Sequence, residues 1–134
     1  VLVGVVQVQG LSAQRGAPSA AAVGAARATA FGLAFPDIEG RLGWRSVGRR
    51  DDVIAGRRAS TLIYGRRGRR VGYSVVDGAP LPVSGRRIAV RGPTVVSIEA
   101  SGRTAVASER GGHTVVVSGV GVPLVALMRV VRAS

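Results

Sequence analysis

The sequence predicts an α+β fold, an antiparallel β-sheet of six to seven strands covered by one C-terminal α-helix. Three observations carry this. Short runs of alternating side chains recur from residue 42 onward, separated by Gly-containing turns. Aromatics make up only 4% of the 134 residues while Val is abundant, so the core must be built from β-branched side chains that suit a pleated surface. Near the end the period changes. Val120, Leu124, Leu127, Met128 and Val131 fall at i, i+4, i+7, i+8 and i+11, one face of a helix.

The elements follow in order. Residues 1–30 read as the end of a membrane or signal segment followed by an Ala-, Gly- and Ser-rich linker with a short helix over 20–30. The apolar stretch Val1–Val8 is too short for a span, which needs about 20 residues, so it reads as the trailing end of one. The chain opens on Val1, which reads as a fragment or a processed product. Residues 31–134 read as a single β-rich domain with its C-terminal helix. Within it, 42–48 is expected as a strand and Asp51-Asp52 as a turn. Residues 58–64 form the clearest strand, with Ala59, Thr61 and Ile63 on one face and Ser60, Leu62 and Tyr64 on the other. A five-residue basic loop, 65–69, joins it to a strand over 71–76. A Pro-containing loop over 79–85, a short strand at 87–90, a break at Gly92-Pro93 and a strand at 94–99 come next. A turn at Ser101-Gly102 leads into strands over 103–110 and 113–118, joined by Gly111-Gly112. Pro123 suits the first turn of the final helix, and Arg129 and Arg132 suit its last turn, where the helix dipole favours positive charge.

Composition narrows the function. A hydrophobic fraction of 46% excludes a disordered chain, and the absence of Cys excludes disulfides and thiolate metal sites. The net charge is +12 and every basic side chain is Arg, with no Lys and no Asn. That pattern is the mark of a GC-rich genome and weakens the step from basic charge to nucleic acid. The charge still attracts anionic surfaces: phospholipid head groups, cell-wall polymers or nucleic acid.

Few side chains offer chemistry. His113 is the sole histidine, and alternation places it and Ser118 on opposite strand faces, so a nucleophile–base pair does not form. It reads as a polar residue at a strand start. The seven acids sit mostly at turns or strand ends with no two marked as facing each other, and Asp51 and Asp52 read as partners of Arg49 and Arg50. Gly119-Val120-Gly121 is only a fragment of a phosphate loop. No catalytic, cofactor or metal residue is therefore assigned. Arg pairs at 49–50, 57–58, 66–67, 69–70 and 86–87 are expected at turns or strand ends. The candidate interaction surface is Arg66, Arg67, Arg69 and Arg70, together with Trp44, whose alternative reading is a core residue.

Three segments together resemble a known family. They are Phe35-Pro36-Asp37 with the stretch from Gly40 to Asp52, the hairpin from Gly56 to Val76, and Glu109-Arg110-Gly111-Gly112-His113-Thr114 leading to Ser118-Gly119. This resembles the extracytoplasmic C-terminal domain of membrane-anchored anti-sigma-factor-like proteins of high-GC bacteria. The family pattern usually has Trp near Ser108 and Cys at Val115; neither is present, which excludes a thiol role. The resemblance implies a non-enzymatic sensory or interaction domain on the outer face of the cell membrane. It would meet an envelope ligand or protein, and it would reach the membrane and a sigma factor through segments outside these residues. The alternative is a basic cytoplasmic β domain that binds nucleic acid.

Overall fold

A computed structural model describes residues 28–82, 86–88, 95–100 and 103–133. A small hairpin, β1 (Thr29–Ala30) and β2 (Leu33–Ala34), precedes a one-turn helix α1 (Glu39–Leu42). Seven strands then follow: β3 (Arg45–Ile54), β4 (Arg57–Arg66), β5 (Arg69–Val76), β6 (Arg86–Ile88), β7 (Val95–Ala100), β8 (Arg103–Arg110) and β9 (His113–Val120). The chain ends in α2 (Leu124–Ala133). The seven strands form one antiparallel sheet in the order β3-β4-β5-β9-β8-β7-β6, so the α+β architecture expected from the sequence is present. Two meanders, β3–β5 and β6–β9, meet where β9 pairs with β5 at the centre. Among the described residues no helix is long and apolar enough to cross a membrane.

The local rules that build the hairpins are uniform. Four connections are two-residue turns, Phe31-Gly32, Ala55-Gly56, Arg67-Gly68 and Gly111-Gly112, each with positive φ at both positions. These are the backbone signs of a type I′ turn, whose twist matches that of the flanking strands. Two expectations are corrected here. Asp51-Asp52 is not a turn: β3 runs through both, and the chain reverses at Ala55-Gly56. The basic loop over 65–69 is not five residues long, because Arg66 and Arg69 still pair with each other and only Arg67-Gly68 turns. Folded structure also begins slightly earlier than Phe31, since Thr29 and Ala30 pair with Ala34 and Leu33. The expected segment over residues 1–27, the Gly92-Pro93 break and the Ser101-Gly102 turn lie outside the described residues.

One sheet face carries the main core. Leu62, Tyr64, Val71, Tyr73, Val75, Val106, Val115 and Val117 are buried there at strict alternation along their strands. α2 covers the β8–β9 side of this face with Leu127, Met128, Val130 and Val131. Each such side chain contributes about 1.5–3 kcal/mol when fully buried. The backbone carbonyl of Pro123 accepts the first helical hydrogen bonds, from Ala126 (2.9 Å) and Leu127 (3.3 Å), so Pro123 sits at the helix entrance as its rigid φ favours. Val120 does not join the helical face: it ends β9 and is exposed. Residues 28–44 cover the β4–β5 side. There Phe35 packs edge-on to Tyr73, with ring centroids 6.0 Å apart, and the Tyr64 hydroxyl donates to the Pro36 carbonyl at 2.7 Å. Ile38 and Trp44 complete this layer.

The opposite face is lined by small residues. Ala59, Thr61, Ser74, Val76, Ala105, Ala107 and Val116 are buried on it, with Ile54. Leu81, in the segment after β5, lies on this face: it packs on the same cluster, and its backbone N–H donates to Thr114 Oγ1 at 2.7 Å.

Candidate functional site

Arginine is the main chemical resource of the chain, and the structure divides it into two groups. One group holds the fold together. Arg49 stacks over Phe35 (5.2 Å), donates to Ser60 Oγ (2.9 Å) and reaches the Thr29 carbonyl (2.6 Å). Arg110 donates to the Ala34 carbonyl (2.7 Å) and the Tyr73 hydroxyl (3.0 Å). Arg57 donates to the Ala79 carbonyl, Arg58 pairs with Asp77 (3.4 Å), and Arg45 pairs with Glu39 (3.1 Å). Arg50 is buried within β3, where its Nε donates to both Asp52 oxygens at 3.0 and 3.1 Å. Asp52 also accepts from Thr61 Oγ1 (2.6 Å), which lies 2.6 Å from Ser74 Oγ. Of the expected partnership of Arg49 and Arg50 with Asp51 and Asp52, only Arg50–Asp52 is formed, and it is made inside the sheet and not at a turn, while Arg49 goes to Ser60, Thr29 and Phe35.

The second group is gathered at one end. Arg66, Arg67, Arg69 and Arg70 are all exposed on the β4–β5 hairpin, and none makes an ion pair or side-chain hydrogen bond among the described residues. They border an open groove of about 660 Å³ whose other walls are Gly43, Arg45, Val47 and Gly65. β3 is an edge strand, and a bulge between Ser46 and Gly48 turns Val47 outward into this groove. Glu39 is engaged by Arg45 of the groove wall. The hairpin end is thus a positively charged surface whose four arginines have no ion-pair partner among the described residues.

Trp44, offered by the sequence as part of the same surface, is not on it. Only 4% of it is exposed and it belongs to the main core. Tyr64 and Tyr73, the aromatics that flank the basic turn in sequence, are buried as well. The tip therefore has no aromatic platform on which a base could stack. His113 is half-buried, its Nδ1 lies 3.1 Å from the Val76 carbonyl, and its ring sits beside Phe31 at 6.5 Å. It shares its β9 face with Val115 and Val117, opposite the face of Ser118. Among the described residues no group of three or more His, Asp or Glu comes together.

Sequence reasoning missed Arg103. It lines a second, more enclosed cavity with Arg50, Arg69, Arg70 and Ser118. Burial, and then the positive charge of Arg50, lower its pKa. Strand alternation was the available signal: Arg103, Ala105 and Ala107 share one face, and so do Gly72 and Arg70. The register that brings these strands together was not readable. Comparison of the chain with protein-family models, with curated proteins and with solved structures finds no match.

Proposed function

We propose that this chain is a non-enzymatic sensory or interaction domain, the extracytoplasmic part of an anti-sigma-factor-like membrane regulator. In this reading it meets an anionic component of the cell envelope through the Arg66–Arg70 hairpin. The observation that carries the reading is the clustering of four exposed arginines on one hairpin, without ion-pair or hydrogen-bond partners among the described residues, while Arg49, Arg50 and Arg110 are tied into packing. A structural arginine needs a partner; a cluster without one repels itself and is relieved by an external anion. The segments that resemble the anti-sigma-factor-like family support the regulatory setting. The hairpin, Phe35 and Trp44 motifs pack there as one structural unit.

Vesicle co-sedimentation tests the binding step. The chain is expected to pellet with phosphatidylglycerol vesicles and not with phosphatidylcholine vesicles, and to be released by salt. The double variant Arg66→Gln, Arg67→Asn should lose most of that binding. Retention of neither vesicle, with salt-sensitive binding to single-stranded or duplex nucleic acid instead, would move the chain to the cytoplasmic nucleic-acid reading.

A further inference from the structure

A second cavity lies on the small-residue face, at the inner side of the same hairpin. Its volume is about 310 Å³, and Arg50, Ile63, Arg69, Arg70, Arg103 and Ser118 line it. The strand register explains why it exists. Ile63, Gly72, Ser118 and Ala105 are direct cross-strand neighbours through β4, β5, β9 and β8. Gly72 has no side chain, Ala105 has a methyl and Ser118 a hydroxymethyl, so one row of the sheet leaves its floor open. A Cβ at Gly72 would already come within 3.2 Å of Thr61 Cγ2. The next row toward the turn supplies Arg103, placed opposite Val120.

The charges around this space do not cancel. Four arginines line it, and the one carboxylate engaged with any of them, Asp52, is held by Arg50 through Nε alone. Among the described residues the terminal nitrogens of Arg50 have no hydrogen-bond partner, and neither does the guanidinium of Arg103. Arg103 carries its charge beside that of Arg50 in a partly desolvated position, an arrangement that an anion between them would relieve. The hydroxyl of Ser118 gives a second and independent indication. Ser118 is 2% exposed and lines the cavity, and its hydroxyl makes no hydrogen bond among the described residues. Buried hydroxyls are almost always partnered, so an orphan at the wall of a basic cavity points to an acceptor that is not part of the chain.

We propose that this cavity binds the phosphate group of a small phosphorylated ligand, held by Arg70, Arg103 and the free edge of Arg50 with a hydrogen bond from Ser118. Several guanidiniums directed at one space suit a dianion with three or four acceptor oxygens better than a carboxylate, which one arginine fork satisfies. The recessed position suits a compact group and not a duplex backbone. The volume exceeds that of a bare oxyanion and leaves room for a small attached moiety beside Ile63. The cavity shares Arg69 and Arg70 with the outer groove, whereas Arg66 and Arg67 line the groove alone.

Isothermal titration calorimetry on the full chain tests this, with glycerol 3-phosphate, inorganic phosphate and uncharged glycerol as probes. Saturable binding of one phosphate probe per chain is expected, with no heat from glycerol. Equal affinity for the two phosphate probes identifies free phosphate as the ligand; tighter binding of the ester identifies a phosphate monoester. Ser118→Ala and Arg103→Gln should each weaken binding by roughly tenfold or more, whereas Arg67→Asn should leave it unchanged. Ser118→Ala removes only an oxygen, so it keeps the test valid even where Arg103→Gln perturbs folding. Absence of saturable binding up to ~10 mM overturns the proposal, as does equal weakening by Arg67→Asn, which would mean diffuse charge and no site. Loss of vesicle binding in the Arg66, Arg67 double variant with phosphate binding retained would separate the two surfaces.

Discussion

Arg50 and Asp52 show how one buried pair can serve both stability and the site. Their side chains are 6% and 0% exposed. Removing one partner strands the other's charge, so Asp52→Ala is expected to cost about 3–5 kcal/mol in urea unfolding. Replacing both with apolar side chains, as in Arg50→Met with Asp52→Val, should recover much of that loss, because the desolvation of two charges offsets most of their attraction. The pair was partly readable: residues i and i+2 on a strand share a face. Adjacent acids suggest a turn by composition, but the reversal comes three residues after Asp52, at Ala55-Gly56. Tyr64 adds a pH dependence. Burial, followed by the nearby Tyr73, raises its pKa well above the ordinary value of 10. The unfolded chain gives up this phenolic proton from about pH 10 upward while the folded chain keeps it. The stability held below that pH is therefore lost as pH rises through the alkaline range. Tyr64→Phe should flatten this decline in a denaturation series, at a cost of about 1 kcal/mol at neutral pH for the bond lost to Pro36.

At the scale of elements, the final helix and the hairpin turns were legible for different reasons. The helix declared itself through spacing, and Leu127, Met128 and Val131 are buried as the period requires. Leu127→Ala is expected to lower stability by about 2–5 kcal/mol, read as a fall in the unfolding midpoint, because the residue is completely enclosed against β8 and β9. The basic hairpin was located correctly but its turn was drawn too long. Arg and Gly on both sides of the reversal erase the apolar–polar alternation that marks where strands end. Arg67 holds a positive φ of 50° that Asn adopts more readily than Arg. Arg67→Asn should thus stabilise the hairpin by roughly 0.5–1 kcal/mol while reducing the charge of its tip. Gly119→Ala should do the reverse, since its Cβ would lie 2.8 Å from Val122 Cγ2 and 3.0 Å from the Arg70 carbonyl oxygen.

At the scale of the molecule, the pairing of β9 with β5 was beyond local signals. β6 lies at the far edge of the sheet, with β9, β8 and β7 between it and β5, so no turn chemistry encodes the pairing. That pairing places Ser118 beside Gly72, and with β8 it brings Arg103 to the inner side of the hairpin. The cavity therefore arises from topology, whereas the outer basic tip arises from one contiguous stretch of sequence and was found there. Both lie at the same end of the sheet, so an anionic envelope surface and a phosphorylated ligand would act on neighbouring arginines. A net charge of +12 makes that end strongly salt-sensitive in any binding assay. Sequencing the reading frame upstream of Val1 tests most directly the proposal that the chain is the outer domain of a membrane regulator. A span of about 20 apolar residues, preceded by a zinc-binding His-Cys segment, is expected there. A start codon a few residues upstream with no span before Val1 would contradict it and leave a cytoplasmic basic domain.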